Sequence, residues 1–400
     1  MKKQIPNSKS SKIELLAPAG DFECLMAAVN AGADAVYLGL EEFNMRARAK
    51  NFKIKDLPKI LKICKKRKVK LYLTLNTIIY DNENKKIKNI IKKAKKYIDA
   101  IICSDISVML LCNEYKIPFH VSTQCSVSNS EAAKFYKKLG ASRIVLAREL
   151  NIKQIKKISK IIPVEIFIHG AMCLSISGRC LMSQFLFNES ANRGKCIHPC
   201  RRFYHVKDQE GNELKIDNHY ILSAKDLCTL PFIEKLKKAN ISAFKIEGRN
   251  KEPEYVSSVV QVYRKALDKK LTEKEIQESL NELNKVYNKG FSSGFLIKNP
   301  TSDDFSKSED SSAAQSKQFI GKINHYYPKI NVGLLKLNNG KLKINDEIMI
   351  IGKTTGVLKH KIESIEAHYK QIAEAKKGDE VGIKLPFCRK NDELYKVIKK

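Results

Sequence analysis

The sequence predicts an α/β protein: a closed, TIM-like (β/α)8 barrel with a cysteine-rich insertion, followed by a small C-terminal β-barrel. Three observations carry this reading. Over the first three hundred residues, short β-branched runs alternate with amphipathic, lysine-rich segments, the pattern of parallel strands joined by helical crossovers. Eight such runs can be counted, which suits closure, although an open doubly wound sheet shows much the same alternation. Beyond residue 317 the pattern changes to short alternating strands with Gly, Asn and Asp turns, as in "LKINDEIMIIG" and "GDEVGIKL", the style of a small barrel.

Taken in order, residues 1–12 have a basic opening but no apolar core before a small-residue cleavage site. They read as a disordered tail, not a signal peptide. Strands are expected at 13–19, 35–40, 70–76, 100–105, 118–124, 143–147, 164–170 and 243–249. Helical segments such as "DFECLMAAVNAG" and "NIKQIKKISKII" lie between them. The regularity breaks once, after the seventh strand, where 171–228 hold five cysteines before the eighth strand arrives. In a barrel, loops that follow strands lie at the C-terminal face, where active sites are built. The polar strand ends Asn76, Gln124, Arg148, His169, Glu247 and Arg249 would gather at that same face. The barrel is expected over 13–300. The Ser/Asp-rich stretch 301–317 reads as a linker and 318–400 as the small β-barrel domain.

Bulk properties narrow the class. The chain has 400 residues, 43% hydrophobic and 29% charged, an ordinary globular composition of a length that suits two domains. Its apolar runs are short and broken by Lys, so no membrane span is expected. Lys and Arg number 74 against 43 Asp and Glu, a net charge of +31. Such an excess favours phosphate backbones, yet solvated lysine-rich helix faces would produce it too. Eleven cysteines, without an export signal, suit a reducing cytoplasm and favour metal binding or catalysis over disulfides.

The five clustered thiols are Cys173, Cys180, Cys196, Cys200 and Cys228. Structural zinc sites use tight C-x2–4-C pairs, and only Cys196–Cys200 comes close. Iron–sulfur clusters accept wider, irregular spacing. Gly170, Gly178 and Gly194 would let backbone approach inorganic sulfide. Arg179, Arg193, Arg201 and Arg202 could offset the negative charge of a tetrathiolate centre. Spacing therefore ranks iron–sulfur above zinc, with inert buried thiols as the third reading. Cys24, Cys64, Cys103, Cys112, Cys125 and Cys388 fall in element interiors and read as small hydrophobes.

The stretches "ELLAPAGDFECLMAAVNAGADAVYLGL", "VEIFIHGAMCLSISGRCLMSQF", "NRGKCIHPCRRFY", "LSAKDLC" and "FKIEGRNKEPEYVSSVVQVYR" resemble peptidase family U32, the collagenase-like family, and within it the TrhP-type branch. The resemblance runs from about residue 13 to 300 and more loosely beyond. It implies a 4Fe–4S cluster held by Cys173, Cys180, Cys196 and Cys228, with Cys200 as the alternative fourth ligand. It also implies hydroxylation without molecular oxygen, forming 5-hydroxyuridine at the tRNA wobble position with prephenate as hydroxyl source. Sister branches act on ribosomal RNA or on quinone precursors. The loop "NMRARAKNF" aligns with an arginine-bearing loop, so Arg46 and Arg48, with Arg249, would bind a small carboxylated hydroxyl donor. His169 and Glu247 complete the expected catalytic set. The implied partners are tRNA and a paralogous subunit of the same family. A peptidase would need a nucleophile with a base or a water-activating metal, and the sequence has neither HExxH nor GxSxG. A zinc-stapled RNA-binding protein without catalysis is the remaining alternative.

Overall fold

The structure, a computed structural model, describes residues 13–202, 207–212, 222–308 and 311–400. The expected tail, 1–12, lies outside the described residues. Eight parallel strands close a barrel: β1 (Glu14–Pro18), β2 (Ala35–Gly39), β3 (Lys70–Leu75), β4 (Ala100–Cys103), β5 (Phe119–Val121), β6 (Arg143–Val145), β7 (Val164–Gly170) and, after a short extra strand β8 (Asp226–Cys228), β9 (Ala243–Ile246). Closure is explicit, because β9 pairs with both β7 and β1. All eight predicted strands occur. The strand at β8 was not expected; it runs antiparallel to the end of β7, with Cys228 opposite His169, and β10 (Phe291–Ser292) extends it.

Strand alternation divides the barrel side chains into two sets. One set packs outward under the helices in a single large apolar core that includes Leu15, Val36, Leu73, Phe119, Ile144 and Phe244. The other fills the lumen. There Leu16, Ala35, Tyr37, Tyr72, Ala100 and Ile102 form a small apolar layer. Beside it runs a chain of ion pairs: Lys70 to Glu14 at 2.9 Å, Glu14 to Arg143 at 2.6 Å, Arg143 to Glu165 at 3.3 Å and Glu165 to Lys245 at 2.9 Å. Polar side chains cap the helices that return the chain between strands. Asp21, Asn129 and Asn151 each accept a first-turn N–H, satisfying donors that the helix itself cannot.

The C-terminal region is an antiparallel sheet of eight strands, with a two-stranded ribbon formed by Lys341–Lys343 and Glu374–Lys376. Its core gathers Ile320, Leu335, Ile350, Ile383 and Leu394. The long strand Gln315–Tyr327 pairs on both edges and shifts register at bulges in each ladder, which bends the sheet around that core. The sheet is docked on the barrel: Asn30 donates to the Thr355 carbonyl at 3.1 Å and Lys359 to Ser258 at 3.3 Å. The stretch read as a linker is laid along the barrel. Lys225 donates its N–H to Asp304, Ser306 to Ser223 and Ser312 to Asn288. Backbone groups near β8 and β10 offer these partners, and a low-hydropathy segment still has hydrogen bonds to make.

Glu165 is fully buried between Arg143 and Lys245. Removing one member of a buried ionic group leaves the others uncompensated, at a cost of about 3–5 kcal/mol. Glu165→Ala is therefore expected to lose stability of that order in urea unfolding. A loss below about 1 kcal/mol would mean that water reaches the lumen and screens the pair.

Candidate functional site

Four loops meet at the C-terminal mouth of the barrel. The first follows β2. Phe52 bridges back to Leu40, closing the loop between them. The buried side chain of Asn44 donates to the Leu40 carbonyl and accepts from Arg46 N–H at 2.9 Å. Asn51 donates to the carbonyls of Arg46 and Ala49, each at 2.9 Å. These short polar side chains hold backbone where no regular ladder can, and they turn Arg46 into the mouth.

There Arg46 meets the residues carried past the end of β9. Its Nε and Nη2 both donate to Glu247 Oε1, at 3.1 and 2.8 Å. Arg148, at the end of β6, lies 4.0 Å from the other Glu247 oxygen, stacks 3.8 Å from the Phe167 ring and donates to the Ala171 carbonyl at 2.6 Å. Arg249 donates to Thr74 Oγ1 at 3.1 Å. Burial opposes ionisation of Glu247, but Arg46, Arg148 and Arg249 outweigh it and bring its pKa down to about 2. Burial acts the other way on Arg249 and lowers it to about 10. Arg46, Arg148 and Arg249 thus outnumber the one carboxylate among them, and Arg201 lines the same cavity, so positive charge is left over. Arg148 Nε is buried without a hydrogen-bond partner. Such an arrangement suits an anionic ligand.

The cysteine insertion forms the opposite wall. A cavity of about 320 Å³ is lined both by Cys173, Cys180, Cys196 and Cys200 and by Arg46, Arg148, Glu247 and Arg249. The insertion is pinned by close backbone approach: Ala47 N–H donates to Gly194 O at 3.1 Å, and a Cβ on Gly194 (φ +85°) would lie 2.1 Å from the Asn44 carbonyl. Arg193 reaches away to Glu83, with Nη1 to Oε2 at 2.9 Å, and covers the Tyr80 ring. It ties down the loop and does not face the thiols. The expected role of the glycines also shifts, since Gly170, Gly178 and Gly194 are each crowded by protein atoms. Cys196 Sγ accepts the N–H of His198 at 3.4 Å. Cys173 is exposed and Cys200 half-buried; partial desolvation, and then the neighbouring thiols, raise both above the ordinary thiol range. Among the described residues, no group of three or more His, Cys, Asp or Glu side chains is arranged to hold a metal ion as it stands.

Three residues expected at the site lie elsewhere. Cys228 does not line the cavity; it is buried on β8, with Sγ 3.7 Å from Tyr263 Oη, and burial raises its thiol to about 11. His169 is packed against Tyr255, Tyr263 and Phe291, and burial drops its pKa to about 3. It is a neutral packing group behind the cavity wall, because its position in β7 points it under the insertion. Arg48 is exposed two residues beyond Arg46, on the outer side of the turn that aims Arg46 inward. Conversely, Lys245 and Tyr37 line the cavity without having been singled out in sequence. Both occupy strand interiors, and only inward alternation in a closed barrel could have found them.

The Glu247 carboxyl contributes stability that is present above its ordinary pKa of 4.5 and lost as pH falls toward about 2. Glu247→Gln is expected to lose on the order of 2–3 kcal/mol at neutral pH. It should also flatten the stability profile across that acid window, as read by urea unfolding at a series of pH values. An unchanged acid limb would refute the assignment.

The sequence of residues 20–306 matches the family model described as Peptidase family U32. A protein named Collagenase from Porphyromonas gingivalis is 40% identical over 408 residues, covering 97% of this chain and 98% of its own length. The tRNA hydroxylation protein P1 of Bacillus subtilis is 34% identical over 370 residues, covering 89% of this chain and 87% of its own. The tRNA hydroxylation protein P of Escherichia coli is 31% identical, covering 78% and 80%. With the family model spanning most of the barrel and these relatives most of the chain, the protein belongs to Peptidase family U32.

Proposed function

We propose that this protein is an RNA hydroxylase that installs a hydroxyl group on a pyrimidine of tRNA, with 5-hydroxyuridine at the wobble position as its product. One observation carries the reading: four thiols and the guanidiniums of Arg46, Arg148 and Arg249 line one cavity. Relatives named for tRNA hydroxylation, and a 23S rRNA 5-hydroxycytidine synthase of Escherichia coli that is 38% identical over 262 residues, support the reaction class. That last relative is matched over 40% of its own length. No helix among the described residues is long and apolar enough to cross a membrane, in keeping with action on RNA in the cytoplasm.

Cys173, Cys180, Cys196 and Cys200 would hold a 4Fe–4S cluster, with Cys200 preferred to Cys228 because it lines the cavity. A bound cluster supplies electron transfer or Lewis acidity beside the substrate. The chain's own groups do the rest. Arg46, Arg148 and Arg249 bind the carboxylates of a small hydroxyl donor, for which prephenate is the proposed identity. Glu247, held ionised, keeps the guanidiniums apart and oriented. Asn76 and Gln124, which also line the cavity, offer amide groups to the edge of a pyrimidine. A cavity of about 320 Å³ lies at the small end for ligand sites, so a base must leave its stack to enter. Replacing a ring C–H by C–OH is a two-electron oxidation of the ring, balanced if the donor gives up its hydroxyl and takes the ring hydrogen (Ar–H + R–OH to Ar–OH + R–H), its carbon being reduced by the same two electrons.

Peptide hydrolysis is a second reading, favoured by the 40% identity to the protein named Collagenase. His198 lines the cavity with the thiols, and desolvation there together with Arg201 and Arg46 lowers its pKa to about 4. No hydrogen bond from its ring to a thiol or hydroxyl occurs among the described residues, which therefore show no activated nucleophile. Gelatin cleavage by the purified protein, lost in Cys200→Ser, would favour this reading over hydroxylation.

Nucleoside mass spectrometry of tRNA from cells lacking this protein tests the proposal. The hydroxylated uridine should disappear and return with the intact gene; unchanged levels, with no second pathway present, would remove the assignment. Anaerobically purified protein should carry about four irons and four sulfides. Cys200→Ser should lose most of that iron, whereas Cys228→Ser should keep it. The reverse pattern would return the fourth ligand to β8.

A further inference from the structure

A second cavity, of about 700 Å³, opens beside the first, between the barrel mouth and the C-terminal sheet. Arg46, Ala171, His198, Arg201 and Glu247 line both, so the two are adjoining compartments with a shared wall. Their chemistry differs. The inner one is small and half-closed; the outer one is a cleft lined by nine Lys and Arg against three Glu. Those three carboxylates are already engaged, Glu247 by Arg46 and both Glu252 and Glu254 by Lys317. The positive charge comes from both walls: Arg201, Arg202, Lys251 and Lys285 from the barrel side, Lys359 and Lys400 from the C-terminal region. Lys285 and Lys359 share the single carboxylate of Glu282, and burial lowers Lys251 to about 7, so Arg201, Arg202 and Lys400 carry most of the surplus. Lys251 lies 3.0 Å from the Tyr287 ring centre, which adds an aromatic surface to the cationic floor.

We infer that this cleft is the track for the phosphate backbone of a single-stranded RNA segment whose one extruded base enters the inner cavity. The inference rests on the hydroxylase reading and adds where the polymer lies. A nucleotide whose base occupies a cavity of about 320 Å³ leaves its flanking phosphates at the rim. Closely spaced phosphates need cations beyond those the inner site uses for itself. The outer cleft supplies them, next to the shared wall. The C-terminal sheet thereby acquires a definite task, since without it the cleft has one wall and loses Lys359 and Lys400.

The test uses the full chain, purified anaerobically, and a fluorescein-labelled RNA hairpin with a uridine-rich loop, followed by anisotropy across a salt series. Lys285→Ala, Lys359→Ala and Lys400→Ala combined should weaken binding on the order of tenfold or more. They should also lower the salt slope by about 2, near 0.7 for each lost phosphate contact. The charge-preserving Arg triple at the same positions should bind like the parent. Equal melting temperatures will show that the Ala triple is folded. A control triple on an exposed helix face, Lys62→Ala, Lys65→Ala and Lys66→Ala, should leave both affinity and slope unchanged. Loss in the control triple, or no loss in the cleft triple, would overturn the inference. So would a parent protein that ignores the hairpin, or one whose cleft lysines serve poly-glutamate and not RNA. Binding is read without any turnover: if the cleft binds RNA but cellular tRNA keeps its hydroxylation without this protein, the hydroxylase reading fails and the track stands.

Discussion

The ion pair between Arg46 and Glu247 is the contact on which the mouth of this barrel depends. Guanidiniums crowded together repel one another, and Arg249, which is buried, and the half-buried Arg46 and Arg148 would not share so small a space without a carboxylate among them. Glu247 follows directly from the end of β9, so its backbone is fixed by the barrel. Arg46 comes from a loop with no ladder of its own, and the pair ties that loop to the rigid frame. The same loop then offers its backbone to the cysteine insertion through Ala47 and Gly194. Position passes from strand to loop to insertion, each step fixed by a named polar contact. The thiols therefore face the arginines by construction, although they are separated from them by more than a hundred residues on one side.

Charge is distributed along the lumen with a purpose that the totals conceal. Within the barrel, Glu14, Arg143, Glu165 and Lys245 alternate in sign and compensate one another, with the exposed Lys70 closing the chain at its outer end. At the mouth, compensation is incomplete: Arg46, Arg148, Arg201 and Arg249 line the cavity with one carboxylate, Glu247. Such an imbalance costs desolvation unless an anion offsets it. The general excess of lysine on helix faces contributes nothing to this arrangement. Net charge does not show which cations matter; the imbalance at the mouth comes from a handful of arginines.

The thiols show how far spacing can be pushed. Cys173, Cys180, Cys196 and Cys200 come together because the insertion folds back over the mouth, held by Arg193 on Glu83 and by Gly194 on Asn44. Cys228 belongs to the same stretch of sequence and was paired with them in the family pattern. The unexpected strand β8 turns it under Tyr263 instead. A three-residue strand gives too little alternation to be read in advance, and it alone decides which fourth thiol shares the cavity. His169 was misjudged for a related reason: a polar residue at a strand end looks like a rim group until an extra strand covers it.

Alternation of apolar runs with amphipathic helices determined the eight strands and their parallel pairing, because each signal is local and repeats; closure into a barrel is one of two readings that this alternation allows, and the pairing of β9 with both β1 and β7 decides it. The same local reading placed the insertion and Glu247 at the C-terminal mouth, since strand ends of a barrel share one side, whereas the arginine-bearing loop was marked by the family resemblance. Tertiary structure alone decided which side of each turn faces inward, choosing Arg46 over Arg48, and raised Arg148 from one rim residue among several to a wall of the site. It also decided that the stretch 301–317 lies against the barrel, and that the C-terminal sheet closes a cationic cleft. These outcomes depend on contacts between segments distant in sequence, where a single hydrogen bond or a short added strand settles the direction of a side chain, and no local pattern encodes that.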